Sequence, residues 1–371
     1  MFKKIYKKRI LWMMVVFLIL DLIAMTVKYN DRQRRLREVA QMGEGINIGN
    51  SLDVVGLRKR KPQALPEEFE VYWGNPKMTP ELFQAIAEKG FGTVRIPVSF
   101  AEHMDERGII EPVWLERVAQ VVDWALETGL YVIIDTHHEE WLVPTVEREE
   151  EVTAKLCTIW EQLAEIFREK GDHLLFEGMN EPRVRGTKEE WEGGTAETRE
   201  VVNRLNEAFV RTVRRIGGNN EQRWLLVAPY GNSYQTEALE QLKIPEDDHI
   251  IVSVHAYIPY HFTLDDDGEK EFDPNGEDAE KIDQLMEDIH RIFYRRGIPV
   301  MITEFGCHEK PDENERLEWA EYYIEAAGRL SVPCIWWDNG KNSQIVNRET
   351  FAWPHQELTE CLLKRSSFIQ S

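Results

Sequence analysis

The sequence has 371 residues, of which 42% are hydrophobic, and a net charge of −21 at neutral pH. Residues 1–40 carry ten Lys or Arg and only three acidic side chains, so the rest of the chain bears about −28, a charge that repels phosphate backbones and excludes nucleic acid as a partner. No Gly/Ser-rich or Pro-rich linker follows residue 40, and residues 41–371 are therefore predicted to form one domain. We expect that domain to be monomeric.

The N-terminus combines a basic cluster with an apolar run. Five of residues 3–9 are Lys or Arg, and Ile10 to Val27 is apolar except for Asp21. Eighteen helical residues extend about 27 Å, close to the hydrocarbon thickness of a bilayer. The pattern predicts a cytoplasmic basic tail, a single-pass cell-membrane anchor over about residues 10–27 and a basic linker to residue 40, with the domain outside the cell. Secretion after cleavage of a signal peptide is the alternative, although no A-x-A-like cleavage site follows the run.

The cysteines are too few and too widely spaced to hold a chain of this length together. They are predicted to be unpaired thiols, with one disulfide as the alternative in an exported protein: Cys157, Cys307, Cys334 and Cys361.

Eight short β-rich runs alternate with helical patterns along the domain. The predicted strands are Gly45 to Gly49, Thr93 to Pro97, Tyr131 to Asp135, Leu174 to Glu177, Trp224 to Ala228, Ile250 to Val254, Val300 to Thr303 and Cys334 to Trp337. Several are continuous apolar runs, as expected of parallel strands covered on both faces. The apolar faces of three intervening helices are Leu115, Val118, Val121, Val122 and Ala125; Val152, Leu156, Ile159, Trp160, Leu163, Ile166 and Phe167; and Ile282, Leu285, Met286, Ile289, Ile292 and Phe293.

Eight such units predict an α/β fold of the (β/α)8 TIM barrel class. An open, doubly wound sheet is the alternative, but no GxGxxG motif follows any of the strands. Connections from helix to strand are short and contain a glycine, whereas those from strand to helix are long, as in residues 50–78, 136–148, 182–195 and 256–278. The long loops all open on the C-terminal face of a barrel, where barrel enzymes build their sites.

Polar and aromatic side chains concentrate where the predicted strands end. They are Asn50, Arg95, His137, His138, Asn180, Glu181, His255, Tyr257, Glu304 and the run from Trp336 to Asn339. Glu181 follows strand four and Glu304 follows strand seven, across the mouth from each other. Retaining glycosidases place two carboxyl groups about 5–5.5 Å apart, so this pair predicts a nucleophile and an acid/base. Two structural carboxylates in salt bridges are the alternative.

Several phrases of the sequence resemble glycoside hydrolase family 5, and most closely its endoglucanase and xyloglucanase subfamily 4. The phrases are GINIGNSLD (45–53), YWGNP (72–76), GFGTVRIPVSF (90–100), VIIDTHHEEW (132–141), FEGMNEPR (176–183), SVHAYIPYHFT (253–263), ITEFG (302–306) and IWWDNG (335–340). They occur in order over nearly the whole domain, and residues 1–40 lie outside the resemblance.

The resemblance implies that Glu181 is the acid/base and Glu304 the nucleophile, with His255 and Tyr257 positioning the nucleophile. Arg95 is expected to keep Glu304 ionised by its charge. The negative charge of Glu304 should in turn raise the pKa of Glu181, so that Glu181 arrives protonated.

The resemblance also implies a set of sugar contacts. Asn180 is expected to bind the sugar 2-hydroxyl and Trp337 to lie beneath the sugar at the cleavage point. Further contacts are expected from Asn50, Trp73, His137 and His138. Trp336 fits a core position and a sugar platform equally well.

The implied function is a retaining endo-β-1,4-glucanase that needs no cofactor and acts on cellulose-like, mixed-linkage or xyloglucan chains. A mannanase or β-1,3-glucanase of the same family, and an inactive carbohydrate-binding barrel, are the alternatives. No metal is predicted, because the run His137 to Glu140 lacks an H-E-x-x-H motif and the acidic loop within residues 265–278 lacks EF-hand spacing. Calcium binding by that loop is the alternative.

Overall fold

Eight parallel strands close into a barrel in the order in which they occur along the chain. The computed structural model describes residues 25–268 and 270–364. The strands are β1 Gly45–Ile48, β2 Thr93–Ile96, β3 Tyr131–Asp135, β4 Leu174–Glu177, β5 Leu225–Val227, β6 Ile250–His255, β7 Val300–Phe305 and β8 Cys334–Asp338. All eight match predicted runs to within two residues at each end, and the (β/α)8 barrel prediction is confirmed.

Helices surround the barrel and also occur within the long loops. The first described helix, α1, covers residues 25–41. The others are α2 Pro66–Tyr72, α3 Pro80–Lys89, α4 Pro112–Glu127, α5 Glu149–Ile166, α6 Ala196–Ile216, α7 Thr236–Gln241, α8 Tyr260–Thr263, α9 Glu277–Ile292, α10 Glu313–Leu330 and α11 Gln356–Leu363. The predicted apolar faces of α4, α5 and α9 are buried or partly buried against the core, except that Ile166, at the end of α5, is 40% exposed.

The barrel interior is apolar at one end and polar at the other. At the N-terminal end, a cluster of buried side chains fills the barrel: Ile133, Leu175, Trp224, Leu226, Ile251 and Met301, joined by Val39 and Met42. Val39 lies in α1, and Met42 directly follows that helix. The helix therefore covers the face of the barrel opposite the long loops and completes its core.

The predicted membrane anchor, residues 10–27, lies outside the described part of the chain except for its last three residues. Among residues 25–268 and 270–364, no helix combines the length and apolar character needed to cross a bilayer. The predicted basic linker is helical from residue 28 onwards. No disulfide joins any two of the four cysteines, which all lie in the described part of the chain, and three of them are buried.

Candidate active site

Arg95 is the centre of a buried polar network at the C-terminal end of the barrel. Its side chain is fully buried, and its guanidinium donates to carboxylates of Asp135, Glu177 and Glu304, each at 2.6 Å. It also donates to amide oxygens, of Asn47 at 3.0 Å and of Asn180 at 2.9 Å. Burial opposes the charge, but the three carboxylates raise the pKa of Arg95 well above its ordinary value. A planar cation with five N–H donors suits this arrangement better than lysine would.

Glu304, near the end of β7, is held through both carboxylate oxygens. Oε1 accepts from Arg95, and Oε2 accepts from the Tyr257 hydroxyl at 2.9 Å. The residue is only 5% exposed. These two donors fix one orientation of the carboxylate, with little rotational freedom left to lose during a reaction.

Glu181 follows β4 in a backbone conformation that side chains rarely adopt, with φ at +45°. Its backbone N–H donates to Oδ1 of Asn232 at 2.7 Å, and this contact holds the turn. One carboxylate oxygen lies 3.1 Å from Nδ1 of His255, and the other accepts from Arg183 at 3.0 Å. Both oxygens therefore face a nitrogen that carries, or readily accepts, a positive charge.

The structure reverses the ionisation expected from the sequence. Burial favours the protonated form of Glu181, but the hydrogen bond and charge of His255, together with Arg183, outweigh it and lower the pKa of Glu181 to about 2. Burial instead raises the pKa of Glu304, despite the opposing charges of His255 and Arg95. Although burial lowers it, the pKa of His255 is raised by the two glutamates. The contacts of Glu181 with His255 and Arg183 therefore favour its ionised form, and the two glutamates favour the charged form of His255.

His255 differs in a second way from its predicted role. It was expected to position the nucleophile together with Tyr257, and Tyr257 does contact Glu304. The imidazole Nδ1, however, lies 3.6 Å from Glu304 and closer to Glu181. The pairing of β6 with β7 shifts register after Val254. Such a bulge redirects the side chain that follows it.

The predicted sugar contacts lie around this centre. Asn180 uses its amide oxygen on Arg95, which leaves its amide NH2 for a hydroxyl. Trp337 is half-buried, and its ring stacks with His137 at a centroid distance of 5.7 Å. Gly49 permits this packing, because a Cβ there would lie 2.7 Å from the indole. Trp336 is fully buried and donates to the carbonyl of Ser343, so it belongs to the core.

The remaining predicted contacts gather near the loop after β1. The Trp73 ring lies 5.7 Å from that of His138, and Asn50 donates to the carbonyl of Asn339 at 3.2 Å. Burial lowers the pKa of His138 to about 4 and that of His137 well below its ordinary value. Both imidazoles are therefore neutral near pH 7 and offer hydrogen bonds without charge.

Two sets of potential metal ligands occur among the described residues. Donor atoms of Asp53, His137 and His138 lie within 4.8 Å of one another, and so do those of Glu181, His255 and Glu304. The second set lies close together because His255 contacts both Glu181 and Glu304. In the acidic loop, the carboxylate of Asp266 pairs instead with His308 at 2.8 Å.

Sequence reasoning missed Asp135, Glu177, Asn232 and Arg183. A signal existed for the two acids, since a carboxylate inside an apolar strand requires a buried partner. Asn232 lies in a short 3-10 turn after β5, and no local feature indicates its contact with Glu181.

Comparisons with known proteins agree with this geometry. Residues 58–343 match the family model for cellulase, glycosyl hydrolase family 5. The chain is 42% identical to endoglucanase A of Ruminococcus albus over 88% of its own length and 92% of that protein. It is 39% identical to endoglucanase A of Clostridium longisporum over 88% of its own length, but spans only 65% of that relative.

Solved structures give the same result. A GH5-4 broad specificity endoglucanase from Clostridium longisporum superimposes with a TM-score of 0.85 at 37% identity, over 90% of this chain and 99% of the other. XEG5A, a xyloglucan-specific endo-β-1,4-glucanase from a metagenomic library, solved with cellotriose, superimposes with a TM-score of 0.83 at 36% identity, over 90% and 99%.

Proposed function

We propose that this chain cleaves internal β-1,4 bonds of glucans with retention of anomeric configuration. The chain belongs to glycoside hydrolase family 5 and is a glycoside hydrolase of the endoglucanase type. The spacing of the two glutamates carries the proposal. A carboxylate oxygen of Glu181 and one of Glu304 lie within 4.8 Å of each other. Retaining enzymes separate these groups by about 5–5.5 Å, whereas inverting enzymes need about 6.5–9.5 Å to admit a water molecule between carboxylate and sugar.

In the first step, an oxygen of Glu304 attacks the anomeric carbon while Glu181 donates a proton to the glycosidic oxygen. The bond to the leaving sugar breaks, and an ester forms between Glu304 and the remaining chain. Tyr257 and Arg95 hold the attacking carboxylate in position. In the second step, Glu181 removes a proton from water, whose oxygen attacks the same carbon and releases Glu304. No cofactor takes part in either step.

Glu181 needs a proton for the first step, and His255 is the group that can supply it. The imidazole contacts the carboxylate directly, and the two neighbouring glutamates raise its pKa. A sugar bound against Glu181 excludes water from its carboxylate. The pKa of Glu181 then rises, because desolvation disfavours the charged form.

We extend the proposal to cellulose-like, mixed-linkage and xyloglucan chains. It rests on two kinds of support: the half-buried indole of Trp337 beside the glutamates, and the similarity to one broad-specificity and one xyloglucan-specific endoglucanase. Mannan and β-1,3-glucan are the competing substrates. An inactive barrel is disfavoured, because both glutamates retain hydrogen-bonding partners that orient them for catalysis.

The test is hydrolysis of carboxymethyl cellulose, xyloglucan, lichenan and mannan by the purified full chain, with Glu304→Ala as the control. We expect reducing ends to appear on the first three, with a rapid fall in viscosity that marks internal cleavage. Activity on mannan alone would overturn the substrate assignment. Unchanged hydrolysis by Glu304→Ala would overturn the nucleophile.

From the sequence pattern, we also propose that residues 10–27 anchor a monomeric catalytic domain at the outer face of the cell membrane. Cell fractionation with an antibody against the domain tests the anchor, and gel filtration in mild detergent tests the oligomeric state. If all of the protein were recovered from the medium and lacked the N-terminal segment, secretion after signal cleavage would be favoured.

A further inference from the structure

Two histidines and an aspartate meet at the mouth of the barrel. Asp53 lies on the loop after β1, whereas His137 and His138 directly follow β3. One nitrogen or carboxylate oxygen from each of the three lies within 4.8 Å of the other two. The imidazole centroids are 4.5 Å apart, and Nε2 of His138 lies 3.8 Å from Oδ2 of Asp53. We call these three residues the Asp53 cluster.

The imidazole of His137 is held in the way that is typical of a metal ligand. Its Nδ1 lies 2.8 Å from Oδ2 of Asp135, a buried carboxylate that also accepts from Arg95. A carboxylate in this position keeps the ring proton on Nδ1 and leaves the lone pair of Nε2 for another partner. The same contact orients the ring and makes Nε2 a stronger donor to a metal ion.

The other two members of the Asp53 cluster are also ready to bind a cation. The Asp53 carboxylate accepts from the backbone N–H groups of Asn50 at 3.0 Å and Ser51 at 2.7 Å, and these contacts fix its position. Each carboxylate oxygen has two lone pairs, so Oδ2 retains one for a cation. The side chain of His138 is 34% exposed, which gives an ion access from solvent. Both imidazoles are neutral near pH 7, the form that binds metal.

Two nitrogens and one oxygen are a donor set that suits zinc. Zn²⁺ binds imidazole nitrogen and carboxylate oxygen at about 2.0–2.2 Å in a tetrahedron, which places the ligand atoms about 3.4 Å apart. The 3.8 Å between His138 and Asp53 is within a small side-chain rotation of that separation. Calcium and magnesium prefer oxygen ligands alone. Three protein ligands would leave the fourth position of the ion to water.

The second set of potential ligands, formed by the catalytic glutamates and His255, is less suited to a dication. Each glutamate already contacts a cation: Glu181 accepts from Arg183 at 3.0 Å, and Glu304 accepts from Arg95 at 2.6 Å. Nδ1 of His255 lies 3.1 Å from Glu181, so this nitrogen is already engaged. The partners of Asp53 described above are two backbone N–H groups and a neutral imidazole. We therefore expect zinc at the Asp53 cluster rather than between the glutamates.

We propose that Asp53, His137 and His138 bind one zinc ion, and that the bound ion inhibits the enzyme by excluding the sugar chain. Both histidines are predicted sugar contacts, so an ion on their ring nitrogens takes the place of a sugar hydroxyl. Zinc and substrate then compete, and removal of the ion restores activity. Zinc binding is independent of the proposed function, whereas competition with the sugar chain rests on it.

The test is calorimetric titration of zinc chloride into the full chain, purified in mild detergent without a polyhistidine tag. We expect one ion per chain. Loss of a ligand in His138→Asn should weaken binding by more than the roughly 10- to 100-fold that loss of an outer partner causes. His308→Asn is the matched control, because His308 pairs with Asp266 at 2.8 Å outside the cluster, and it should bind zinc as wild type does. Glu304→Ala should also keep the wild-type affinity for zinc.

Competition with sugar distinguishes this site from any other zinc site on the molecule. Cellotriose should weaken zinc binding to the wild-type chain, and zinc should raise KM for 4-nitrophenyl β-cellobioside without lowering kcat. EDTA should reverse the inhibition. The proposal would be overturned by absence of zinc binding, by equal affinities of wild type and His138→Asn, or by loss of binding in Glu304→Ala. A chain that binds zinc at the Asp53 cluster but hydrolyses no β-glucan would support the metal site and overturn the proposed function.

Discussion

Replacement of Arg95 by methionine should destabilise the fold far more than loss of a surface ion pair. The change leaves three buried carboxylates, of Asp135, Glu177 and Glu304, without the cation that each contacts at 2.6 Å. Removal of one partner from a single buried pair costs about 3–5 kcal/mol. With three carboxylates affected, we expect a loss at the upper end of that range, about 5 kcal/mol, against a typical total stability of about 5–15 kcal/mol.

Equilibrium urea unfolding, followed by tryptophan fluorescence, measures this loss. Without Arg95 the folded-state pKa values of Asp135 and Glu304, already raised by burial, rise further above their unfolded values. Stability then falls as pH increases through that interval, so the deficit should be larger at pH 8 than at pH 5. Arg107→Met is the control, because Arg107 forms an exposed ion pair with Asp105, and its urea midpoint should match wild type. An Arg95→Met midpoint equal to that of the control would refute the reasoning.

Three further changes probe other parts of the molecule. Tyr257→Phe removes a hydrogen bond to Glu304, worth about 1.5–3 kcal/mol for a charged acceptor, so kcat on an aryl cellobioside should fall roughly ten- to hundredfold; an unchanged kcat would contradict the role. Met42→Ala opens a cavity in the apolar cluster at the N-terminal end of the barrel and should lower the free energy of unfolding in urea by about 2–5 kcal/mol. The kcat at 25 °C should stay at the wild-type value. Burial raises the pKa of Glu139 to about 7, so its ionisation opposes folding as pH rises from 4.5 to 7. The stability of Glu139→Gln relative to wild type should therefore increase over that interval and then level off. A stability difference between the two proteins that does not change with pH would exclude the raised pKa.

The barrel could be predicted because its signals are local. Apolar runs identify buried parallel strands, and loop lengths identify the working face. The short helices α2, α7 and α8 were not predicted, since they lie within loops and have fewer turns than a period pattern needs. The packing of α1 against the barrel was also not predicted, because its sequence is basic and its contact with the barrel core depends on Val39, near the end of the helix.

The site was predictable only as far as strand ends determine it. Glu181 and Glu304 could be found that way, and so could Arg95. The nearest partner of His255 could not, because it depends on a register shift between β6 and β7. The ionisation of Glu181 depends on Arg183, which folds back onto a residue two positions earlier. Such contacts are set by tertiary geometry rather than by spacing.

Covalent trapping tests the central claim most directly. A cellobioside with fluorine at C2 and a good leaving group should form the glycosyl ester and hydrolyse it slowly, because the fluorine destabilises the oxocarbenium-like transition state of both steps. Intact mass should show one added cellobiosyl group, and peptide mapping should place it on Glu304. An unlabelled protein that still turns over the reagent, or a label on Glu181, would contradict the account.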